Sequence, residues 1–320
     1  MKVLIGPNAY GLERCIKELS PIYPDVEFEF CKVPAELKEA IADADIYMGW
    51  MNRDIYLAAK KLKWVQSPSS GINYYIAIPE LVAGDVLLTS ARGTHGACLA
   101  EHTLAMIFAF TRHIRDYVQH QKTHTWSARE LRGKMLELTG MTIGIIGFGA
   151  VGRAIAKRAD AFDMNIMAVD MFPQNPPDYV ASLAGLDGLD ALLSQSDYVV
   201  VTVPYTEQTD KMIGAAEIAE MKPSAMLIGI SRGGIIDEAA LVSALREGRL
   251  AAAALDVFDK EPLPAESELW DMDNLLITPH VAGGSQYECD YILDIFGENL
   301  GRFVRGELPL RNQIDKQRGF

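Results

Sequence analysis

Three side chains in the second half of the sequence have the makings of an acid–base centre. Arg232 stands in Ile230-Ser231-Arg232-Gly233-Gly234. Glu261 stands in Asp256-Val257-Phe258-Asp259-Lys260-Glu261-Pro262, and His280 in Thr278-Pro279-His280-Val281-Ala282-Gly283-Gly284. A guanidinium binds carboxylate or carbonyl oxygens, and an imidazole gives and takes a proton. A carboxylate beside the imidazole orients it and favours its charged form. Taken singly, each has a plainer reading: a surface ion pair, a solvated loop carboxylate, a capping histidine. Each, however, follows a different apolar run, and the three runs are consecutive. In an open α/β sheet ligands bind at the carboxyl ends of strands, so three such groups converge on one place.

A second constellation precedes them. Ile143-Gly144-Ile145-Ile146 runs into Gly147-Phe148-Gly149-Ala150-Val151-Gly152, a strand pattern entering G-x-G-x-x-G. Good helix formers follow in 153–162, and Asp170 closes the next apolar run. Gly147 permits the tight turn, Gly149 lets a pyrophosphate approach the backbone, and Gly152 lets the helix pack close. The helix start at Ala150 and Val151 offers unpaired N–H groups to an anion. Asp170 is placed for the ribose hydroxyls of a dinucleotide and repels a 2′-phosphate. No Lys or Arg occurs in 171–179 to bind one, so the expected cofactor is NAD rather than NADP.

These groups need a scaffold, and the hydrophobic pattern supplies one. In the first hundred residues, apolar runs at 3–5, 26–30, 46–49, 64–66 and 86–89 alternate with helical segments such as 11–19 and 35–42. A helical stretch over 97–120 follows. Six further runs come next, at 142–146, 165–169, 198–201, 226–230, 252–255 and 275–277. From Ser285 the chain reads as a helix over 288–304 and a polar tail. Such alternation predicts parallel sheets covered by helices. The expected fold is α/β, with two doubly wound parallel-sheet domains and a cleft between them. One is a Rossmann NAD domain over 99–285. The other is a flavodoxin-like substrate domain built from 1–98 and 286–320.

Composition narrows the partners. The chain has 320 residues, 30 Lys and Arg against 43 Asp and Glu, and a net charge of −13. So acidic a surface repels phosphate backbones and anionic lipid, which argues against nucleic-acid and membrane partners. Cys15, Cys31, Cys98 and Cys289 show no C-x-x-C spacing. The start, MKVLIGPNAY, is too short in apolar residues for a signal peptide, and no run approaches a membrane span of about 18 residues. The expected location is the cytoplasm.

As an ordered set, Arg92-Gly93, Ala100-Glu101-His102, the glycine loop, SRGG, DVFDKEP and TPHVAGG resemble the D-isomer-specific 2-hydroxyacid dehydrogenase family. The resemblance covers nearly the whole chain. It implies an NAD-dependent oxidoreductase that moves a hydride between NADH and a small 2-oxo acid. Arg232 would hold the substrate's carboxylate and carbonyl oxygen, His280 would be the acid/base, and Glu261 would orient it. A loop that reads S-A-G-V-D in the family holds the carboxylate through backbone N–H groups. Here it is Ser69-Ser70-Gly71-Ile72-Asn73, with Ser70 and Asn73 as departures that bear on pocket shape. Cofactor contacts are implied near Ile230, Ser231, Asp256 and Gly283, with Asp256 at the nicotinamide amide. Thr202 and Pro204 line the adenine side in relatives. A homodimer is implied too, and some relatives insert a Trp at the position of Trp126 into the partner's site.

Other readings carry their own signatures. Formate dehydrogenases of the superfamily have Gln where Glu261 stands, and a phosphite dehydrogenase is a further alternative. A non-enzymatic NAD-sensing module, like the family's corepressor relatives, can keep the same triad, and turnover with 2-oxo acids discriminates it. The length leaves little room for the regulatory domains of many phosphoglycerate dehydrogenases. The terminal 309–315 segment and Arg318-Gly319-Phe320 look like the ends of glyoxylate/hydroxypyruvate-type reductases. His120 and His124 have i, i+4 spacing, but no nearby Asp, Glu or Cys completes a metal site, and none is expected. Arg53 and Tyr74, near the presumed cleft, read either as substrate contacts or as surface groups.

Overall fold

The computed structural model describes residues 1–127 and 129–318. Ala128, Gly319 and Phe320 lie outside the described residues, and with them the last two residues of the Arg318-Gly319-Phe320 end. The chain divides into two compact units, Met1–His95 with Ser285–Phe320, and Gly96–Gly284. Both are α/β, and every strand pair in both sheets is parallel.

The first unit holds β1 (Lys2–Ile5), β2 (Glu27–Phe30), β3 (Ile46–Met48), β4 (Trp64–Gln66) and β5 (Leu87–Thr89) in the order β2-β1-β3-β4-β5. That is the flavodoxin-like order. Four of its strands are short, mainly apolar runs, as a sheet covered on both faces requires, whereas the edge strand β2 alternates as Glu27-Phe28-Glu29-Phe30. The helix Glu288–Val304 returns from the end of the chain to cover one face. Its Ile292, Phe296 and Leu300 pack with Val3, Ile5 and Trp64. Trp64 and Phe296 stack with centroids 5.2 Å apart. Buried Asn299 then ties down the tail, donating to the Arg311 carbonyl at 2.9 Å and accepting from its N–H at 2.7 Å.

The second unit holds β6 (Thr142–Ile146), β7 (Asn165–Val169), β8 (Ser182–Ala184), β9 (Tyr198–Val201), β10 (Met226–Gly229), β11 (Ala252–Leu255) and β12 (Leu275–Ile277). Their order is β12-β11-β10-β9-β6-β7-β8. The chain steps to one side of β6 through β7 and β8. It then crosses to the other side at β9, which makes the β6/β9 boundary a topological switch point. Alternate residues feed opposite cores: Ile143, Ile145 and Val200 join one cluster, whereas Ile146, Val199 and Val201 join the other. Period-two side chains on a sheet with two buried faces produce this pattern.

Two expectations need correction. The helical stretch over 97–120 is two helices, Gly96–Thr111 and Ile114–Lys122. The break is at His113, whose φ is 52°. Segment 134–136 compensates for the break, since Leu136 N–H donates to the freed Thr111 carbonyl at 3.0 Å and His113 Nε2 meets the Lys134 carbonyl at 3.4 Å. The sheet also has a seventh strand, β8. Its Ser182, Leu183 and Ala184 are half-buried at the sheet edge and lack the apolar run that marks the other six.

Candidate active site

The glycine loop leaves β6 as the pattern requires. Gly147 N–H donates to the Val169 carbonyl at 2.8 Å, and Thr202 Oγ1, just beyond β9, donates to the Gly147 carbonyl at 2.7 Å. The helix Ala150–Asp160 starts immediately, with no side-chain cap on its first N–H groups. Those of Ala150, Val151 and Gly152 have no intrahelical acceptor and point where an anion could be held. A Cβ on Gly152 would stand 2.2 Å from the Gly147 carbonyl oxygen, so the turn itself demands glycine there. Gly149 differs, because a Cβ there would have no protein atom within 4 Å. Its backbone angles suit any residue, with φ −77° and ψ −157°. None of the described residues accounts for a glycine at 149, whereas a pyrophosphate lying against the loop would. The residues present therefore fit a dinucleotide.

Asp170, one residue past β7, accepts from Phe148 N–H at 2.7 Å and from Phe172 N–H at 2.8 Å. The acidic residue is thus built into the glycine loop rather than merely near it. Arg153, one residue past Gly152, lies over the Phe148 ring, 4.7 Å from its centroid, and donates to the carbonyls of Gln174 at 2.5 Å and Asn175 at 3.1 Å. It is a basic group that the fold, not the local sequence, brings beside the 171–179 segment. Pro204 is exposed beyond β9, and its carbonyl accepts from Thr209 Oγ1 at 2.7 Å.

Arg232, Glu261 and His280 follow β10, β11 and β12 on the carboxyl edge of the sheet. The Arg232 loop packs directly on the Glu261 loop: a Cβ on Gly233 would stand 1.8 Å from the Phe258 carbonyl oxygen, and Gly234 N–H donates to Asp259 at 2.8 Å. Arg232 donates to the Ser231 carbonyl at 2.5 Å, next to buried Ile230. Glu261 is held through Oε1, which accepts from Phe258 N–H at 3.0 Å. Its Oε2 lies 2.7 Å from His280 Nδ1. His280 has φ 52°, the left-handed region that a non-glycine residue enters at a cost of about 1–2 kcal/mol. The surrounding loop must hold it there, and Asp256 supplies the hold. The carboxylate is 1% exposed. It accepts from Thr278 Oγ1 at 2.6 Å, Val281 N–H at 3.0 Å and Ala282 N–H at 2.9 Å. Thr278 Oγ1 in turn meets His102 Nε2 at 3.0 Å, and the Gly283 carbonyl accepts from Cys98 Sγ at 3.1 Å. The structural task of Asp256 was not legible in the sequence.

In the first unit, the 69–72 loop follows β4. Ala91 N–H donates to the Ser69 carbonyl at 3.0 Å, and Gly71 N–H is taken by Ser69 Oγ at 3.1 Å. Ile72 is buried, while the Ser70 hydroxyl meets His95 Nδ1 at 2.9 Å. Arg53 is engaged by Glu80, with Nε 2.9 Å from Oε1. Tyr74 is exposed and packs edge-on to Trp50, with centroids 5.7 Å apart. Trp126 is 97% exposed. Among the described residues no group of three or more His, Cys, Asp or Glu side chains could hold a metal ion, and no helix is long and apolar enough to cross a membrane.

Comparison with known proteins gives the same direction. Residues 104–282 match the family described as D-isomer specific 2-hydroxyacid dehydrogenase, NAD binding domain. The chain is 32% identical over 315 residues to the glycerate dehydrogenase of Methylorubrum extorquens, covering 96% of this chain and 97% of that one. It is 33% identical over 314 residues to the D-3-phosphoglycerate dehydrogenase of Methanocaldococcus jannaschii, covering 96% of this chain but 58% of that longer protein. Among solved structures, it resembles an NADPH-dependent glyoxylate/hydroxypyruvate reductase from Sinorhizobium meliloti, determined in complex with NADP and sulfate. The TM-score is 0.85 at 27% identity, and the match covers 100% of both chains.

Proposed function

The chain belongs to the D-isomer specific 2-hydroxyacid dehydrogenase family, and from that premise we propose that it reduces a small 2-oxo acid with NADH to the D-2-hydroxy acid. The observation that carries this reading is the pairing of Glu261 with Nδ1 of His280 beside the Arg232 loop. When bound, the dinucleotide supplies the hydride that the carbonyl carbon receives. Arg232 binds the substrate's carboxylate and carbonyl oxygen and stabilises the negative charge that grows on that oxygen. His280 delivers a proton to it from Nε2, because Nδ1 is committed to Glu261. In the reverse direction the neutral ring accepts that proton. The 69–72 loop, with Ser70, Gly71 and Ile72, holds the carboxylate.

We assign the dinucleotide to the Gly96–Gly284 unit and the substrate loop to the other. Gly147, Gly149, Ala150, Val151 and Gly152 take the pyrophosphate, and Asp170 takes the adenosine ribose. Ile230, Ser231 and Gly283 serve the nicotinamide end, together with Asp256 through the loop it builds. Thr202 and Pro204 flank the adenine side. Asp170 favours NADH over NADPH by charge. The names of the glycerate dehydrogenase and the glyoxylate/hydroxypyruvate reductase support a two- or three-carbon substrate. We place the reaction in the cytoplasm, in keeping with four free cysteines. The test is NADH oxidation with glyoxylate, hydroxypyruvate, pyruvate, phenylpyruvate and branched 2-oxo acids. Turnover with a small acid supports the reading, and no turnover with any of them overturns it in favour of a binding module.

A further inference from the structure

The helix Gly96–Thr111 reaches the His280 turn with two side chains that lie one helical turn apart. His102 Nε2 is 3.0 Å from Thr278 Oγ1 and 3.8 Å from Asp256 Oδ1, and Cys98 Sγ donates to the Gly283 carbonyl at 3.1 Å. One face of one helix thus meets the turn at its start and near its end. The helix is itself fixed to the sheet. Its Ala100, Leu104 and Ile107 share a core with Ile228 of β10 and with Ala252 and Ala254 of β11. The period of two along a strand carries the Asp256 side chain to the face of Ala254, which this helix covers.

Hydrogen counting links the three polar groups. Thr278 Oγ1 gives its one hydrogen to Asp256 at 2.6 Å, which leaves the oxygen an acceptor, and a hydrogen on His102 Nε2 fills it. The neutral ring supplies that hydrogen as well as the charged one. The reverse order, in which Asp256 gives a proton to Thr278 and Thr278 gives its own to a bare Nε2, joins the same three groups. The tie therefore does not depend on how the ring titrates. What it holds is the chain on both sides of His280. Before it, Thr278 N–H still belongs to the sheet and donates to the Leu255 carbonyl at 3.0 Å. After it, the N–H groups of Val281 and Ala282 both end on Asp256, at 3.0 and 2.9 Å. His280 sits between these anchors at φ 52°, a conformation that its surroundings must impose. The Asp256 side chain is 1% exposed and that of His102 21%, so water replaces little of this bonding.

We propose that His102 is a positioning residue for His280: through Thr278 and Asp256 it locks the 278–282 turn and so sets the place of the imidazole. This rests on reading His280 as the acid of the 2-oxo acid reduction. His102 acts through the turn and not on the substrate.

The test is glyoxylate reduction with NADH, beside hydrogen exchange of the Val281 and Ala282 amides, read by mass spectrometry on the peptide that carries them. His102→Phe keeps a flat ring and removes its nitrogens. It should lower kcat about tenfold, the worth of one hydrogen bond, with the dissociation constant for NADH within about twofold. The same variant should speed exchange of the two amides about tenfold. His102→Gln keeps a donor and an acceptor near the position of Nε2 and should restore both readings to within about twofold of the wild type. In a His280→Ala background, His102→Phe should lower kcat no further, because the residue acts through His280. Unchanged kcat or exchange in His102→Phe, a multiplicative loss in the double variant, or failure of His102→Gln to rescue would each overturn the proposal. If His102→Phe does not fold, Thr278→Val, which removes the hydroxyl that His102 meets, takes its place with the same expected outcomes. A wild type that reduces no 2-oxo acid overturns the functional reading itself, and amide exchange still decides whether His102 holds the turn.

Discussion

Glu261 Oε2 sits 2.7 Å from Nδ1 of His280, and Glu261 Oε1 is itself tied to the Phe258 N–H at 3.0 Å. The ring is therefore held by a carboxylate that is anchored to its own loop, and in the proposed mechanism Nε2 is the nitrogen that exchanges protons. His280→Ala should cost about 10²–10⁴ in kcat, the range for losing a general acid. Glu261→Gln keeps the size of the side chain but not its charge, and should lower kcat while leaving NADH binding nearly unchanged. Near-normal turnover in His280→Ala would remove the residue from the mechanism, and stopped-flow NADH binding checks the second variant.

Gly149 and Gly152 should behave differently although both belong to one motif. Gly152→Ala forces a Cβ to 2.2 Å from the Gly147 carbonyl and should lower Tm. Gly149→Ala meets no protein atom within 4 Å and should leave Tm unchanged while raising the KM for NADH at least about tenfold. Thermal melts beside cofactor titrations distinguish the two. Equal loss of stability in both would mean that the loop's glycines serve only the fold.

Asp170, the residue we propose to set cofactor choice, is also part of the loop structure, because its two oxygens accept from Phe148 and Phe172 N–H. Asp170→Ala should narrow the preference for NADH over NADPH by about tenfold or more in kcat/KM, mostly through loss with NADH. Wild-type enzyme that uses both cofactors equally would refute the charge argument. Arg153 is the group to examine in that event.

Burial pushes the Cys15 thiol up to about 12. Its folded-state value is therefore raised, and between the ordinary thiol range and about 12 only the unfolded chain releases the proton. This group's contribution to stability is present at neutral pH and is lost as the solution becomes alkaline. Cys15 should also resist iodoacetamide at pH 8 in the native protein and react fully in urea. Mass spectrometry of the labelled peptide reads the outcome, and rapid native labelling would show that the helix Arg14–Leu19 opens.

We expect a homodimer that covers the apolar groups left exposed on the helix Ile114–Lys122 and beyond it. Ile114 is 51% exposed, Val118 45% and Trp126 97%. Sedimentation at micromolar concentration should give twice the mass of 35.2 kDa, and a monomer would also remove any role for Trp126 in a partner's site.

Much of this protein follows from local sequence alone. Runs such as Ile143–Ile146 and Tyr198–Val201 are strands because a sheet buried on both faces needs unbroken apolar residues, and that need is visible without coordinates. The glycine loop, and the placement of Asp170, Arg232, Glu261 and His280 just beyond strands, were legible for a related reason. Each occupies a fixed step after a strand, and strand ends share one edge of a parallel sheet. Strand β8 and the break at His113 were not legible. An edge strand of Ser-Leu-Ala carries no apolar signature, and the helix break is completed by a carbonyl and an N–H of the distant segment 134–136. The same holds for Asp256, which reaches 25 and 26 residues along the chain to build the His280 loop. It holds most of all for His102, whose partner Thr278 lies 176 residues away. Periodicity marks most of the backbone segments that form elements, whereas a polar side chain finds its partner only where packing brings two distant segments together.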